Sequence, residues 1–306
     1  MKKILTIISL LSFSFLIFIS CSEMNKDLPS SPSVSIHKAG IKNPSSPDFH
    51  GKLISSTDWT MKECKQCHGA NYQGGIITEA SGNCLTCHTQ PTGPEACNTC
   101  HGDFADPTKI APPRALDGSI SSSSRGVGAH VKHLYSTTSG KAVECNECHK
   151  VPTLFLSEGH FDSTPRSEVL FGELTKTQTN KPGTTDYDAS LPLFTPNPSY
   201  NYDNNSCSNT YCHGYFKNGN LDYVVSFTAG SEGGKCGTCH GDINSSNPLA
   251  IALPKISSQG GTHPNATACS NCHPGVVSLV DGKYVITDPS KHINGKLNIF
   301  GAERDY

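Results

Sequence analysis

The sequence predicts a mostly irregular fold of short helices and few short strands, around a core that its own apolar side chains cannot supply. Three observations predict it. Only 35% of the 306 residues are hydrophobic and 8% aromatic, a thin supply for a chain of this length. There are 28 Gly and 20 Pro, which punctuate regular structure, and no long stretch sustains a helical apolar period. There are also 15 Cys and 14 His, an unusual density of thiols and ligating side chains.

Taken in chain order, Lys2 and Lys3 precede an apolar stretch, residues 4–19, broken only by Thr6, Ser9, Ser12 and Ser14. It is shorter than the roughly 20 residues of a membrane span, so residues 1–20 read as a secretory signal. Ile19-Ser20-Cys21 resembles a bacterial lipobox, although Phe18 stands where Leu is commoner. That resemblance implies cleavage before Cys21 and lipidation of its thiol; the alternatives are an uncleaved anchor or plain secretion. No later segment is apolar and long enough to span a membrane. Cleavage would remove two lysines and no acid from a chain with 24 basic and 26 acidic residues. The mature protein is then acidic, which is no footprint for nucleic acid. Residues 21–46, with Leu28-Pro29-Ser30-Ser31-Pro32, read as a flexible tether.

The other 14 cysteines fall into seven pairs, and a His follows every pair. Six are Cys-x-x-Cys-His: Cys64/Cys67/His68, Cys84/Cys87/His88, Cys97/Cys100/His101, Cys145/Cys148/His149, Cys236/Cys239/His240 and Cys269/Cys272/His273. The seventh is wider, Cys207/Cys212/His213, with four residues between the thiols. Two thiols two residues apart match the two vinyl groups on one edge of haem. One turn of helix spans them and brings the following imidazole beneath the porphyrin, where it ligates iron. The wider motif must bulge between the same two thioether bonds. Zinc sites also use Cys-x-x-Cys, but as paired half-sites that need no His after each pair. Disulfides suit an exported chain and leave the seven histidines unexplained. Thioredoxin-like motifs want a βαβ context that is absent. The predicted fold is therefore a multihaem cytochrome c with a core of stacked porphyrins, and the expected cofactor is seven covalent haems c.

Each iron has a sixth position. Met1, Met24 and Met61 are the only methionines. Met1 lies in the signal, Met24 beside the lipid and Met61 three residues before Cys64, so His/Met ligation cannot be general. Seven histidines lie outside the motifs: His37, His50, His130, His133, His160, His263 and His292. Seven spare imidazoles for seven haems predict bis-histidine ligation throughout. Such haems sit at lower potential than His/Met haems. Spacing does not say which His serves which haem.

Residues 47–117 carry three motifs and read as an amino-terminal three-haem module. The motifs beginning at Cys84 and Cys97 are so near in sequence that their haems must lie close. Residues 118–128, with a run of serines, read as a linker. Residues 118–306 form a four-haem module with a weak internal repeat. In one copy His130-Val131-Lys132-His133 precedes the Cys145 motif, followed by Gly159-His160 and Val169-Leu170-Phe171-Gly172. In the other His263 precedes the Cys269 motif, followed by Lys291-His292 and Asn298-Ile299-Phe300-Gly301. Residues 174–206 read as a long surface loop, and short strands are expected at residues 224–227 and 284–286.

The run Cys207-Ser208-Asn209-Thr210-Tyr211-Cys212-His213-Gly214, followed by the Cys236 motif, resembles the CxxxxCH/CxxCH domain of multihaem cytochromes from metal-respiring bacteria. Gly128-Ala129-His130-x-x-His133-Leu134 and His292-Ile293-Asn294-Gly295 resemble that family too. The likeness covers about residues 126–301. It implies bis-histidine c-haems, a cell-envelope location and electron transfer towards extracellular acceptors.

The favoured function is an electron conduit: haems with both axial sites filled exchange electrons and leave substrate no place at iron. Its partners would be other cytochromes or redox proteins and an extracellular acceptor, with the chain lipid-anchored, as an outer-membrane lipoprotein facing the periplasm or the cell surface. The alternatives are a reductase of a nitrogen or sulfur oxyanion, which needs one open iron, and a structural subunit of a cytochrome assembly. About 40 residues of chain accompany each motif, so the porphyrins must supply much of the buried apolar surface. The haem-free chain is therefore expected not to fold. Circular dichroism and hydrogen exchange on protein made without haem attachment check this, and a stable, protected apo-protein would contradict it.

Overall fold

The computed structural model describes residues 36–74, 82–136, 138–161, 164 and 166–306. The expected signal at residues 1–20, the lipidation site Cys21 and the tether as far as residue 35 lie outside the described residues. Contacts divide the chain into two compact units, Met1–Thr57 and Asp58–Tyr306.

In the first unit the chain around His37 advances through successive turns, closed by Asn43 N–H to Gly40 C=O and Ser46 N–H to Asn43 C=O. It then enters helix α1 (His50–Ser56). Gly51 lies in its first turn, where a Cβ would stand 2.6 Å from the Phe49 ring. Lys38 and Asp48 form an exposed ion pair at 3.1 Å, a contact of little energetic weight at the surface.

All seven Cys–Cys–His motifs belong to the second unit. Its helices are short: α2 (Lys62–His68), α3 (Cys97–Cys100), α4 (His130–Leu134), α5 (Pro248–Ala252) and α6 (Cys269–Cys272). Frequent Gly and Pro prevent longer ones. Helix α5 has both starting signals in two residues: Asn247 Oδ1 accepts from Leu249 N–H, and Pro248 follows it. Among the described residues no helix is long and apolar enough to cross a membrane.

The strands make three small antiparallel sheets. β1 (Ser199–Asn201), β2 (Ser206–Ser208) and β3 (Val225–Ser226) lie side by side in that order. β4 (Val277–Val280) pairs with β5 (Lys283–Ile286), and β6 (Leu297–Ile299) with β7 (Ala302–Arg304). Both hairpins turn through two residues of positive φ, Asp281-Gly282 and Phe300-Gly301, the turn whose twist matches the strands. β3 and β5 fall where strands were expected. Residues 169–171, the counterpart of residues 298–300 in the weak repeat, form no strand. Leu170 N–H instead reaches the motif itself, donating to Cys148 C=O at 2.8 Å.

The protein core is thin, as the composition requires. The largest wholly buried side chains are Val127, Asn180 and Thr179, while Leu154, Leu156 and Ile120 are each 74% exposed. Large apolar side chains left outward on a chain with so small a core call for another apolar body to cover them.

Residues 174–206 are turn-rich but closely stitched. Thr179 and Phe194 form an antiparallel bridge. Within it Asn180, 1% exposed, donates from Nδ2 to the carbonyls of Asp188, Leu191 and Pro192, each at 3.0 Å, and accepts from Asp188 N–H at 2.7 Å. A buried amide that answers four backbone groups is costly to remove, and its φ of 62° suits Asn better than Ala. Asn180→Ala is expected to cost about 2–4 kcal/mol, read as a fall in thermal midpoint of the holo-protein with its haem content unchanged.

Candidate functional site

Five motifs lie on a helical turn. Two residues separate the thiols in each, so the turn sets both cysteines and the histidine around one face. The bond that closes it runs from the histidine N–H to the first cysteine C=O: His88 to Cys84 at 2.9 Å, His149 to Cys145 at 2.9 Å and His273 to Cys269 at 2.8 Å. Asn83 caps the Cys84 turn, accepting from Leu85 N–H. Cys64 and Cys67 lie in α2, and α3 is the Cys97 motif itself. Two motifs differ from the expected short helices. In the Cys236 motif Gly237 takes φ +90°, and a Cβ there would strike Ile243 backbone at 2.8 Å; the motif is a set of turns. In the wide motif Cys207 lies in β2, Asn209 turns the chain at φ +55°, and Cys212 and His213 occupy a 3-10 turn, Tyr211–His213. The four extra-spaced residues thus make a strand, a left-handed corner and a tight turn.

None of the 14 motif thiols is in a disulfide. Burial pushes the Cys148 thiol up to about 11 and Cys207 up to about 12, and Cys212 rises too. Such thiols stay protonated at neutral pH while no partner is bound. Among the described residues no three His, Cys, Asp or Glu side chains converge as a metal-ion cage. The zinc reading therefore finds no preformed cage among the described residues.

The histidines behave differently. Ten of them hold Nδ1 against a backbone carbonyl, which can only accept, so Nδ1 carries the proton. The partners are Ile41 for His50, Gly82 for His68, Ile110 for His101, Val127 for His130 and Ala129 for His133. They are Glu168 for His149, Phe155 for His160, Pro264 for His263, Asn298 for His273 and Ser139 for His292. This fixes each tautomer and leaves Nε2 as a lone-pair donor, the arrangement of a metal-ligating imidazole. Burial, with neighbouring histidines adding to it, pulls His130, His213 and His240 down to about 4. At neutral pH no proton competes for Nε2. His213 Nδ1 is buried without a hydrogen-bond partner.

The spare and motif histidines come together in pairs. Ring centroids are 6.3 Å apart for His130 and His149, 6.0 Å for His133 and His213, 6.2 Å for His240 and His292, and 6.3 Å for His263 and His273. Two imidazoles bound to one metal through nitrogens at about 2 Å stand about 6 Å apart between centroids, so all four pairs fit an iron between them. His101 and His160 are a fifth neighbouring couple, since a proton on His160 opposes one on His101. His88 meets the Phe104 ring edge-on at 5.4 Å. His37 and His50 lie in the first unit.

The pairs form a series. His130 senses the charge of His101, Cys207 that of Cys148, Cys212 that of Cys239, and His240 that of His263. Neighbouring sites therefore follow one another in chain order from Cys97 to Cys269. The repeat is also longer than sequence reading found. His149 Nδ1 donates to Glu168 C=O and Leu170 N–H to Cys148 C=O; His273 Nδ1 donates to Asn298 C=O and Phe300 N–H to Cys272 C=O. The same bonds recur two residues apart in both copies. Upstream, Gly102 and Gly241 take φ of +86° and +77° against the returning backbone of Ile110 and Ile251. In each copy the histidine before the motif pairs with that motif, and the histidine after it lies by the preceding one. The missed signal was Cys-x-Thr-Cys-His-Gly-Asp, present at both Cys97 and Cys236.

Residues 206–240 match the family model described as the Geobacter CxxxxCH...CXXCH motif. The match takes in the wide motif and the Cys236 motif. It is a motif of multihaem cytochromes and points to covalently held haem c and electron transfer. No curated protein and no solved structure matches the chain.

The amino-terminal motifs of the second unit are fastened by a half-buried acid. Tyr72 O–H donates to Glu95 Oε1 at 2.5 Å and Lys65 Nζ to the same oxygen at 3.0 Å. Lys65 sits between Cys64 and Cys67, and Glu95 two residues before Cys97, so this junction joins two motifs. Burial raises the Glu95 carboxyl, but the bonds from Tyr72 and Lys65 outweigh it and hold it below the ordinary range. Burial, with Glu95 beside it, pushes Tyr72 up to about 12. A depressed carboxyl stabilises the fold above its unfolded pKa, and the stabilisation is lost as pH falls through the folded value. Glu95→Gln is expected to lower stability at neutral pH by about 1–2 kcal/mol. The difference from wild type should shrink as pH is taken below the carboxylate range, followed by thermal melts across acid pH.

Proposed function

We propose that this chain is a heptahaem c-type cytochrome that conducts electrons in the bacterial cell envelope. The observation that carries the reading is the set of His–His pairs at metal-ligating separation, each joining a spare imidazole to a motif imidazole.

The roles of the residues follow from their chemistry. Cys64, Cys67, Cys84, Cys87, Cys97, Cys100, Cys145, Cys148, Cys207, Cys212, Cys236, Cys239, Cys269 and Cys272 would hold the porphyrins through thioether bonds. The histidine after each pair would ligate from one side, and the spare histidines from the other. Iron porphyrin supplies one-electron redox chemistry when bound. The chain's contribution is spacing, burial and axial ligands. Backbone carbonyls hold ten of the imidazoles neutral and aimed, so those ligands need not reorganise between redox states. With both faces of the metal taken, substrate has no entry, which separates a conduit from a reductase.

The cell-envelope setting rests on the signal-like residues 1–20 and on Cys21, which would anchor the protein by lipid, at the outer membrane and facing the periplasm or the cell surface. Its partners would be other cytochromes or redox proteins and an acceptor outside the cell.

Mass spectrometry of the purified protein should find the polypeptide heavier by seven covalent haems, and its resting spectrum should be low-spin throughout with no carbon monoxide binding. A colourless or zinc-loaded protein would end the reading, and a native high-spin iron that binds carbon monoxide would turn it towards an enzyme. Removing one spare ligand tests the pairing. His263→Ala should keep all seven haems, because its site's thioethers and His273 remain, while one iron becomes high-spin and binds carbon monoxide.

A further inference from the structure

The paired rings fall into two orientation classes. The planes of His130 and His149 meet at 24° and those of His263 and His273 at 12°. Those of His133 and His213 meet at 85° and those of His240 and His292 at 82°. The orientation of axial imidazoles bears on the iron's electronic structure, because each ring overlaps one of two d orbitals of π symmetry. Crossed rings treat the two orbitals alike and leave them nearly degenerate; parallel rings split them. The degenerate case gives a highly anisotropic low-spin resonance, the split case an ordinary rhombic one.

The wide-motif site shows how an orientation is held. His130 and His133 sit one helical turn apart on α4, on the same side, yet belong to different pairs. The Phe227 ring lies against both. It is parallel to His133, 9° between planes at 6.2 Å, and edge-on to His130, 89° at 5.1 Å, both favourable aromatic geometries. Phe227 reaches α4 only because residue 128 is glycine. A Cβ on Gly128 would lie 2.1 Å from Phe227 Cε1, and its φ is +44°. Across the site, His213 has no bond to Nδ1 that could choose its plane. With His213 held by burial and by its turn alone, the directed contacts on the dihedral relation between the two rings come from the His133 side, from the Ala129 carbonyl at 3.1 Å and from Phe227.

We infer that Phe227, admitted by Gly128, is a positioning residue that holds His133 crossed with His213, making the wide-motif site electronically distinct from the adjoining Cys145 site. This rests on the haem-binding reading above and deepens it, since one short helix then presents ligands of opposite orientation to two successive sites in the series.

Electron paramagnetic resonance of the oxidised full-length holo-protein, with haem content measured on the same sample, tests it. Wild type should show a highly anisotropic low-spin component accounting for at least two haems, those of the crossed pairs, beside rhombic low-spin signals. In Phe227→Ala the haem count should stay at seven while one haem's intensity leaves the anisotropic component for the rhombic one, and Phe227→Tyr should restore the wild-type spectrum. Should the alanine variant fail to mature, Phe227→Leu, which fills the space without a flat face, is read in its place with the same expectation. A seven-haem protein lacking the anisotropic component, or variants whose spectra match wild type, overturn the inference and leave the conduit standing. A protein without covalent haem overturns the conduit and the inference together.

Discussion

A ring N–H given to a backbone carbonyl is the interaction on which the rest of this molecule depends. An imidazole free to turn could offer either nitrogen, in either protonation state, to a metal. Bonded at Nδ1 to a carbonyl, it has one tautomer, one free nitrogen and one aim. The carbonyls come from irregular chain: Ile110 for His101, Glu168 for His149, Asn298 for His273. Loops that would be idle in another protein here orient ligands. That is why the chain can be largely irregular and still be specific, and why long helices or wide sheets would add little.

The second consequence is a division of labour between peptide and cofactor. Val127, Asn180 and Thr179 are the largest buried side chains, a set that could not by itself offset the conformational entropy of ordering so many residues. Apolar side chains such as Leu154 and Leu156 face outward, where flat porphyrin faces would cover them. Stability of the fold then depends on prior attachment of the cofactor. The peptide's own fastenings, among them Asn180 with its four backbone bonds and Glu95 with Tyr72 and Lys65, secure the loops between sites.

The duplicated hydrogen-bond pattern explains how a series of sites arises. In each copy a motif of the Cys-x-Thr-Cys-His-Gly-Asp kind is followed by a second motif with a histidine on either side. The first of these histidines faces its own motif and the second reaches back to the preceding motif, so each copy closes two sites and interlocks them. The wide motif stands between the copies and takes His133 as its partner. Order along the chain becomes order in space because three of the sites, at Cys97, Cys207 and Cys236, take a histidine from a segment that belongs to another motif.

Much of this was legible in residue order. Covalent attachment is local: two thiols and an imidazole within five residues, or seven in the wide motif, match a haem edge whatever the fold around them, so the motif clusters could be read directly as sites for haem c, and counting excluded methionine as a general axial ligand. Turn chemistry is local too, which is why strands near Val225 and Tyr284 were anticipated. The pairing was not legible. His292 meets His240 across some fifty residues, and His133 meets His213 across eighty, because partners on opposite sides of a metal are joined by loops whose paths depend on non-local hydrogen bonds. Nor could spacing reveal ring planes, or that Phe227 would lie against α4 through the gap left by Gly128. Those are relations between side chains of different segments, and only the folded chain, by bringing the segments together, decides them.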